Sequence, residues 1–158
     1  MTMNSIALLQ TLLQRAEGER DTAALALRQA ETLVAQAEQQ AQALHSYRGE
    51  YHQRWTARFQ QAGTPELLHC HRGFGQRLDQ AIGHQQLNSQ HLANRVLQAR
   101  GQLLAREQRV AAVRKLIARR QAELQALANR RDQRSTDEAA QRAASAQRGQ
   151  HPLAAEAG

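Results

Sequence analysis

Alternate steps of three and four residues from Ile6 land on Ile6, Leu9, Leu13, Ala16, Arg20, Ala23, Leu27, Ala30, Val34, Ala37, Ala41, Leu44, Arg48, Tyr51 and Trp55. Thirteen of these fifteen positions are apolar, and the phase never slips over seven heptads. A 3.5-residue repeat kept up for that long can be buried only as a seam between supercoiled helices. It predicts a first helix over about 4–61, roughly 85 Å long at a rise of 1.5 Å per residue.

"AGTPE" then breaks the pattern. Gly63 suits a helix C-terminus, Thr64 an N-cap and Pro65 a first helical turn, and Glu66 complements the new helix dipole. A second seam follows at Leu78, Ile82, Gln85, Ser89, Leu92, Val96, Ala99, Leu103, Arg106, Val110, Val113, Ile117, Arg120, Leu124 and Leu127, eleven of the fifteen apolar. The expected fold is all-α: a long antiparallel two-helix coiled-coil hairpin spanning 1–146 as one domain (helix 4–61, turn 62–65, helix 66–146). Ala16, Ala23, Ala30 and Ala37 recur every seven residues and make one edge of the seam small enough for close backbone approach. A hinge near residue 63 sets position i against about 127 minus i. The second helix therefore outruns its partner and should project alone at its C-terminal end, with a disordered tail over 147–158. Glycines at 73, 75, 83 and 101 should soften or bend it.

Composition narrows the function. The two prolines and 3% aromatic content suit a narrow seam better than a broad core. One cysteine, Cys70, cannot close an internal disulfide, which fits a reducing compartment. No apolar run nears the roughly 20 residues of a bilayer span. "MTMNSIALLQ" lacks the charged and apolar regions of a secretory signal, so a cytoplasmic protein is expected. No phosphate loop, paired carboxylates or converging nucleophile is present, and a two-helix seam offers no deep pocket, so an enzyme is not expected and no cofactor is implied. "HCH" at 69–71 spreads its side chains about 100° apart on a helix and is read as an exposed polar first turn, with no metal site.

Two features remain. From Arg95 to Arg134 ten arginines and Lys115 face only Glu107, Glu123 and Asp132, about +8 in a chain whose net charge is +7. That stretch should meet an acidic surface. Binding to nucleic acid is the competing reading, disfavoured because no aromatics interleave the arginines. All five aromatic residues lie between Tyr47 and Phe74. Tyr51 and Trp55 fall in the seam, whereas Tyr47 and Phe74 flank it at one level, a pattern that reads as a docking patch.

"LHSYRGEYHQRW", "FGQRLDQAIGHQQLN" and "RRDQRSTDEAAQRAA" resemble, in order and spacing, the FliJ family of flagellar type III export proteins, over about residues 5–146. The resemblance implies a cytoplasmic, non-enzymatic stalk and general chaperone, peripheral at the inner membrane. Its partners would be the export ATPase FliI, its regulator FliH, the gate protein FlhA and export chaperones. Carried over by motif, the gate-binding residues would be Gln40, Leu44, Tyr47, Tyr51, Phe74, Leu78, Ala81 and Gln85, where Gln85 stands in place of the family's frequent His. The ATPase-ring residues would be Arg106, Arg109, Arg114, Lys115, Arg119, Arg120, Arg130, Arg131 and Arg134. The family also often carries an aromatic between the hinge and Phe74, where this chain has His69 to His71. The equivalent stalk of a virulence secretion system, a nucleic-acid-binding coiled coil and a homodimeric structural coiled coil stay open at this stage.

Overall fold

The computed structural model describes residues 2–150, which form two helices, α1 (Thr2–Gln61) and α2 (Pro65–Gly149), joined by residues 62–64. There is no strand among them. The helices divide into two units, Ala16–Arg109 and the described residues of Met1–Arg15 with Val110–Gly158.

In the Ala16–Arg109 unit the chain reverses on itself as the turn residues dictate. The Ala62 amide donates to the Arg58 carbonyl (3.0 Å), and the Leu67 amide donates to Thr64 Oγ1 (3.3 Å), the N-cap bond that occupies an otherwise orphaned amide of α2. Gly63 closes α1 without a left-handed backbone. A Cβ there would lie 3.4 Å from the Phe59 ring, an ordinary van der Waals contact, so neither backbone conformation nor packing requires a glycine at this position.

The antiparallel halves of this unit pack small against large. Ala16, Ala30 and Ala37 of α1 are buried, as are Leu78, Ile82, Leu92 and Val96 of α2. Short side chains on one helix leave room for branched ones on the other. Arg48 and Asp79, which the pairing rule sets opposite each other, form an ion pair at 3.1 Å. Gln85 Nε2 reaches across the seam to donate to the Ala37 carbonyl at 2.9 Å.

In the other unit, residues 5–15 of α1 lie antiparallel to α2 from Val110 to Leu124. Val110 and Val113 are buried, and Ile6, Leu9, Leu13, Ile117 and Leu124 are half-buried. Beyond Leu124 every described residue is exposed, Leu127 included, although the two-helix repeat would place Leu127 in the seam.

α2 runs unbroken through Gly73, Gly75, Gly83 and Gly101, because the helix's own hydrogen bonds outweigh about 1 kcal/mol of propensity per glycine. Other details differ from the sequence expectation. α2 continues to Gly149, three residues past the expected end at 146. The expected tail over 147–158 thus begins inside a helix, and its remainder, 151–158, lies outside the described residues. Arg106 and Arg120, read as seam positions, are exposed and turn their guanidinium groups toward carboxylates.

Candidate partner-docking surface

α1 carries Tyr47, Tyr51, Trp55 and Phe59 at four-residue spacing, which stacks them as a stripe along one side of the helix. α2 answers with His71 and Phe74. Centroid distances are 4.6 Å for Tyr51–Phe74, 6.3 Å for Tyr47–Phe74, 5.7 Å for Tyr51–Trp55 and 5.5 Å for Trp55–Phe59.

His71 sits among these rings, stacked on Tyr51 at 5.3 Å and lying 4.9 Å from Trp55 and 5.6 Å from Phe59. This corrects the reading of "HCH" as one exposed polar turn. His69 and Cys70 are exposed, but the next residue points 100° away and closes the aromatic cluster. The signal was available in the sequence: His71 is three residues before Phe74, the spacing that puts two side chains on one helix face.

Among the described residues, packing leaves the buried Tyr51 Oη and His71 Nδ1 without hydrogen-bond partners. The Tyr51 hydroxyl is pushed above its ordinary pKa of 10.0, chiefly by desolvation, with Tyr47 and Cys70 adding to the cost of a phenolate.

The eight residues carried over by motif fall into one strip in the Ala16–Arg109 unit. Leu44 and Tyr51 on α1, and Leu78 and Gln85 on α2, are seven apart and lie in the seam. Gln40 and Tyr47, and Phe74 and Ala81, are likewise seven apart and lie beside it. In an antiparallel pair these flanking positions come to the same edge. Gln40, Leu44, Tyr47 and Gln85 line an open hollow of about 510 Å³.

Within the strip the residues differ in what they offer. Tyr47 is 49% exposed and Phe74 37%, whereas Leu78 is buried at 7% and supports them from below. Ala81 and Gln40 are exposed. Gln85 is half-buried, and its amide is engaged by the Ala37 carbonyl, so its role is to hold the helices in register beneath the surface.

The basic residues carried over for the ATPase ring differ in their surroundings. Arg106 and Arg109, in the Ala16–Arg109 unit, share Glu19 Oε2 at 2.9 and 3.7 Å. In the other unit Arg120 pairs with Glu123 at 3.4 Å. Lys115, Arg119, Arg130, Arg131 and Arg134 are exposed and lack a carboxylate partner among the described residues. Arg114 is exposed as well. Three of the unpaired arginines, Arg130, Arg131 and Arg134, lie on the part of α2 where nothing is buried.

The described residues contain no group of three or more His, Cys, Asp or Glu placed to hold a metal ion. No helix among them is long and apolar enough to cross a membrane. A family model described as "Flagellar FliJ protein" matches residues 5–149. No curated protein matches the chain.

Proposed function

Because the chain belongs to the flagellar FliJ family, and so to the proteins of flagellar export, we propose that it is the stalk of the flagellar type III export apparatus. In this reading it is a non-enzymatic, cytoplasmic protein at the inner-membrane face that couples the FliI ATPase ring to the FlhA gate, with FliH and export chaperones as further partners. The observation that supports it most is the Tyr47–Phe74 pair, two large apolar rings left half in water above buried Leu78. Aromatic anchors that are rigid and partly exposed are what a protein partner's pocket grips at low entropic cost.

The basic residues supply the second contact. Lys115, Arg119, Arg130, Arg131 and Arg134 have no carboxylate partner among the described residues, so an acidic ring lining would gain ion pairs without breaking any of those described.

Titration calorimetry of the cytoplasmic part of FlhA against wild-type protein and the Tyr47→Ala/Phe74→Ala variant tests the gate assignment. Binding should be lost with far-ultraviolet helicity unchanged. Equal affinities would end the assignment of this strip to the gate.

A further inference from the structure

A groove in the unit formed by Met1–Arg15 and Val110–Gly158 has a character none of the above uses. It is open, about 640 Å³ in volume, and lined by Leu8 and Leu12 of α1 with Leu116, Arg119, Arg120 and Glu123 of α2. Leu8 is 70% exposed, Leu12 37% and Leu116 46%. These leucines are additional to the seam, which in this unit is made by Ile6, Leu9 and Leu13 against Val110, Val113 and Ile117. A single exposed leucine is ordinary, but three converging on one concavity are an apolar surface that no described residue covers.

The rim sets the sign of what would cover it. Arg119, which lines the groove, has no carboxylate partner among the described residues, and Arg120 beside it is only loosely engaged with Glu123 at 3.4 Å. The walls set its backbone. Both are helices whose amides and carbonyls are already bonded within themselves, so an extended peptide would find no edge to pair with and would bury unsatisfied polar groups. A helix brings its own hydrogen bonds. The α1 wall runs from Ser5 to Leu12, which is about two helical turns. A second copy of this chain would bring the same cationic rim against its own, a like-charge contact.

We propose that this groove is the docking site for a two-turn segment of an acidic amphipathic helix on a partner protein. Apolar side chains at i, i+3 or i+4, and i+7 of that helix seat on Leu8, Leu12 and Leu116. Its flanking carboxylates face Arg119 and Arg120. The inference shares Arg119 with the ring-contact half of the proposed function and rests on that half only for the sign of the partner's charge. The groove would stand even if the ring were not the partner.

The test is fluorescence anisotropy with a labelled 18-residue helical peptide carrying leucines on one face and glutamates on its flanks. Two control peptides accompany it, one with lysine flanks and one with glutamines replacing the leucines. The full chain should bind the first peptide and neither control. Leu8→Gln/Leu116→Gln should weaken binding at least tenfold and Arg119→Glu at least threefold, both with unchanged helicity. Arg130→Ala/Arg131→Ala/Arg134→Ala should leave it intact while weakening FliI binding, which separates the fate of the groove from that of the ring contact. Equal binding by the leucine variant, or equal binding of the glutamine peptide, would overturn the groove. So would a wild-type dimer that the leucine variant abolishes, or leucine-dependent binding to phosphatidylglycerol vesicles in place of the peptide.

Discussion

Tyr51 of α1 and Phe74 of α2 bring their ring centroids to 4.6 Å, while Tyr47, one turn earlier on α1, meets the same phenylalanine edge-on at 6.3 Å. Phe74 therefore has two jobs, one toward the interior and one toward solvent. Tyr47→Ala should lower stability by about 1 kcal/mol or less, because half of that ring is exposed and the edge contact contributes only about 0.5–1.5 kcal/mol before compensation. Phe74→Ala should cost more, about 2–3 kcal/mol, because it also strips cover from Tyr51. Urea unfolding of both variants and the double variant measures this, and a coupling energy near zero would mean that Tyr47 and Phe74 do not support each other.

Tyr51→Phe should stabilise the protein by roughly 1 kcal/mol, since it deletes a buried hydroxyl that has no partner among the described residues. It should also change the alkaline limb of stability. The hydroxyl's pKa is raised in the folded state, so folded protein holds its proton where unfolded protein has lost it. Stability from this group is fully present below the unfolded value of about 10 and falls as pH rises from there toward the folded value. Thermal melts between pH 8 and 11 should show that loss in wild type and a smaller one in Tyr51→Phe.

Ala37→Leu and Gly101→Ala should move stability in opposite directions. Ala37 is 3% exposed beneath the Gln85 side chain, and a larger residue would push the helices apart at a cost of about 1–3 kcal/mol. A Cβ at Gly101 meets nothing within 4 Å, so the alanine there gains helix propensity of about 1 kcal/mol without strain. Melting temperatures falling for the first and rising for the second are the expected pair of results.

Glu19→Gln should cost less than about 1 kcal/mol despite removing a carboxylate that two arginines share. The three side chains are between 32% and 53% exposed, so water and salt already screen them. The cost should shrink toward zero in about 1 M salt, where the Debye length is about 3 Å. A large loss that persists at high salt would mean that Glu19 contributes by packing.

The seam on α1 was readable in full: all fifteen positions from Ile6 to Trp55 are at least half-buried, because a 3.5-residue repeat admits one solution once a partner helix is available. On α2 the same counting failed at Arg106, Arg120 and Leu127. For the two arginines, periodicity ranks positions by angle and takes no account of a long cationic side chain's ability to leave the seam and follow a carboxylate. At Leu127 the pattern persists after the packing has ended. The pairing of the Tyr47 and Phe74 rings beside the seam was legible, but the inclusion of His71 was missed because its neighbours His69 and Cys70 suggested a shared polar fate. Gln85 shows the opposite limit. Its spacing placed it in the seam, while the direction of its amide, inward to Ala37, depends on a rotamer that no repeat encodes.

No side chain among the described residues falls below 2% exposure. A seam this thin has no sealed centre whose loss would unfold everything at once, so each turn is held chiefly by its nearest neighbours along the pair. Amide exchange should accordingly form a gradient. Protection should be strongest around the closely spaced buried pairs Leu92 with Val96 and Val110 with Val113, weaker toward the glycines at 73 and 75, and nearly absent after Leu124. Such a molecule can yield at one level while keeping its register at another, and a load applied at a docking strip would be absorbed over a few turns before it disturbed the rest.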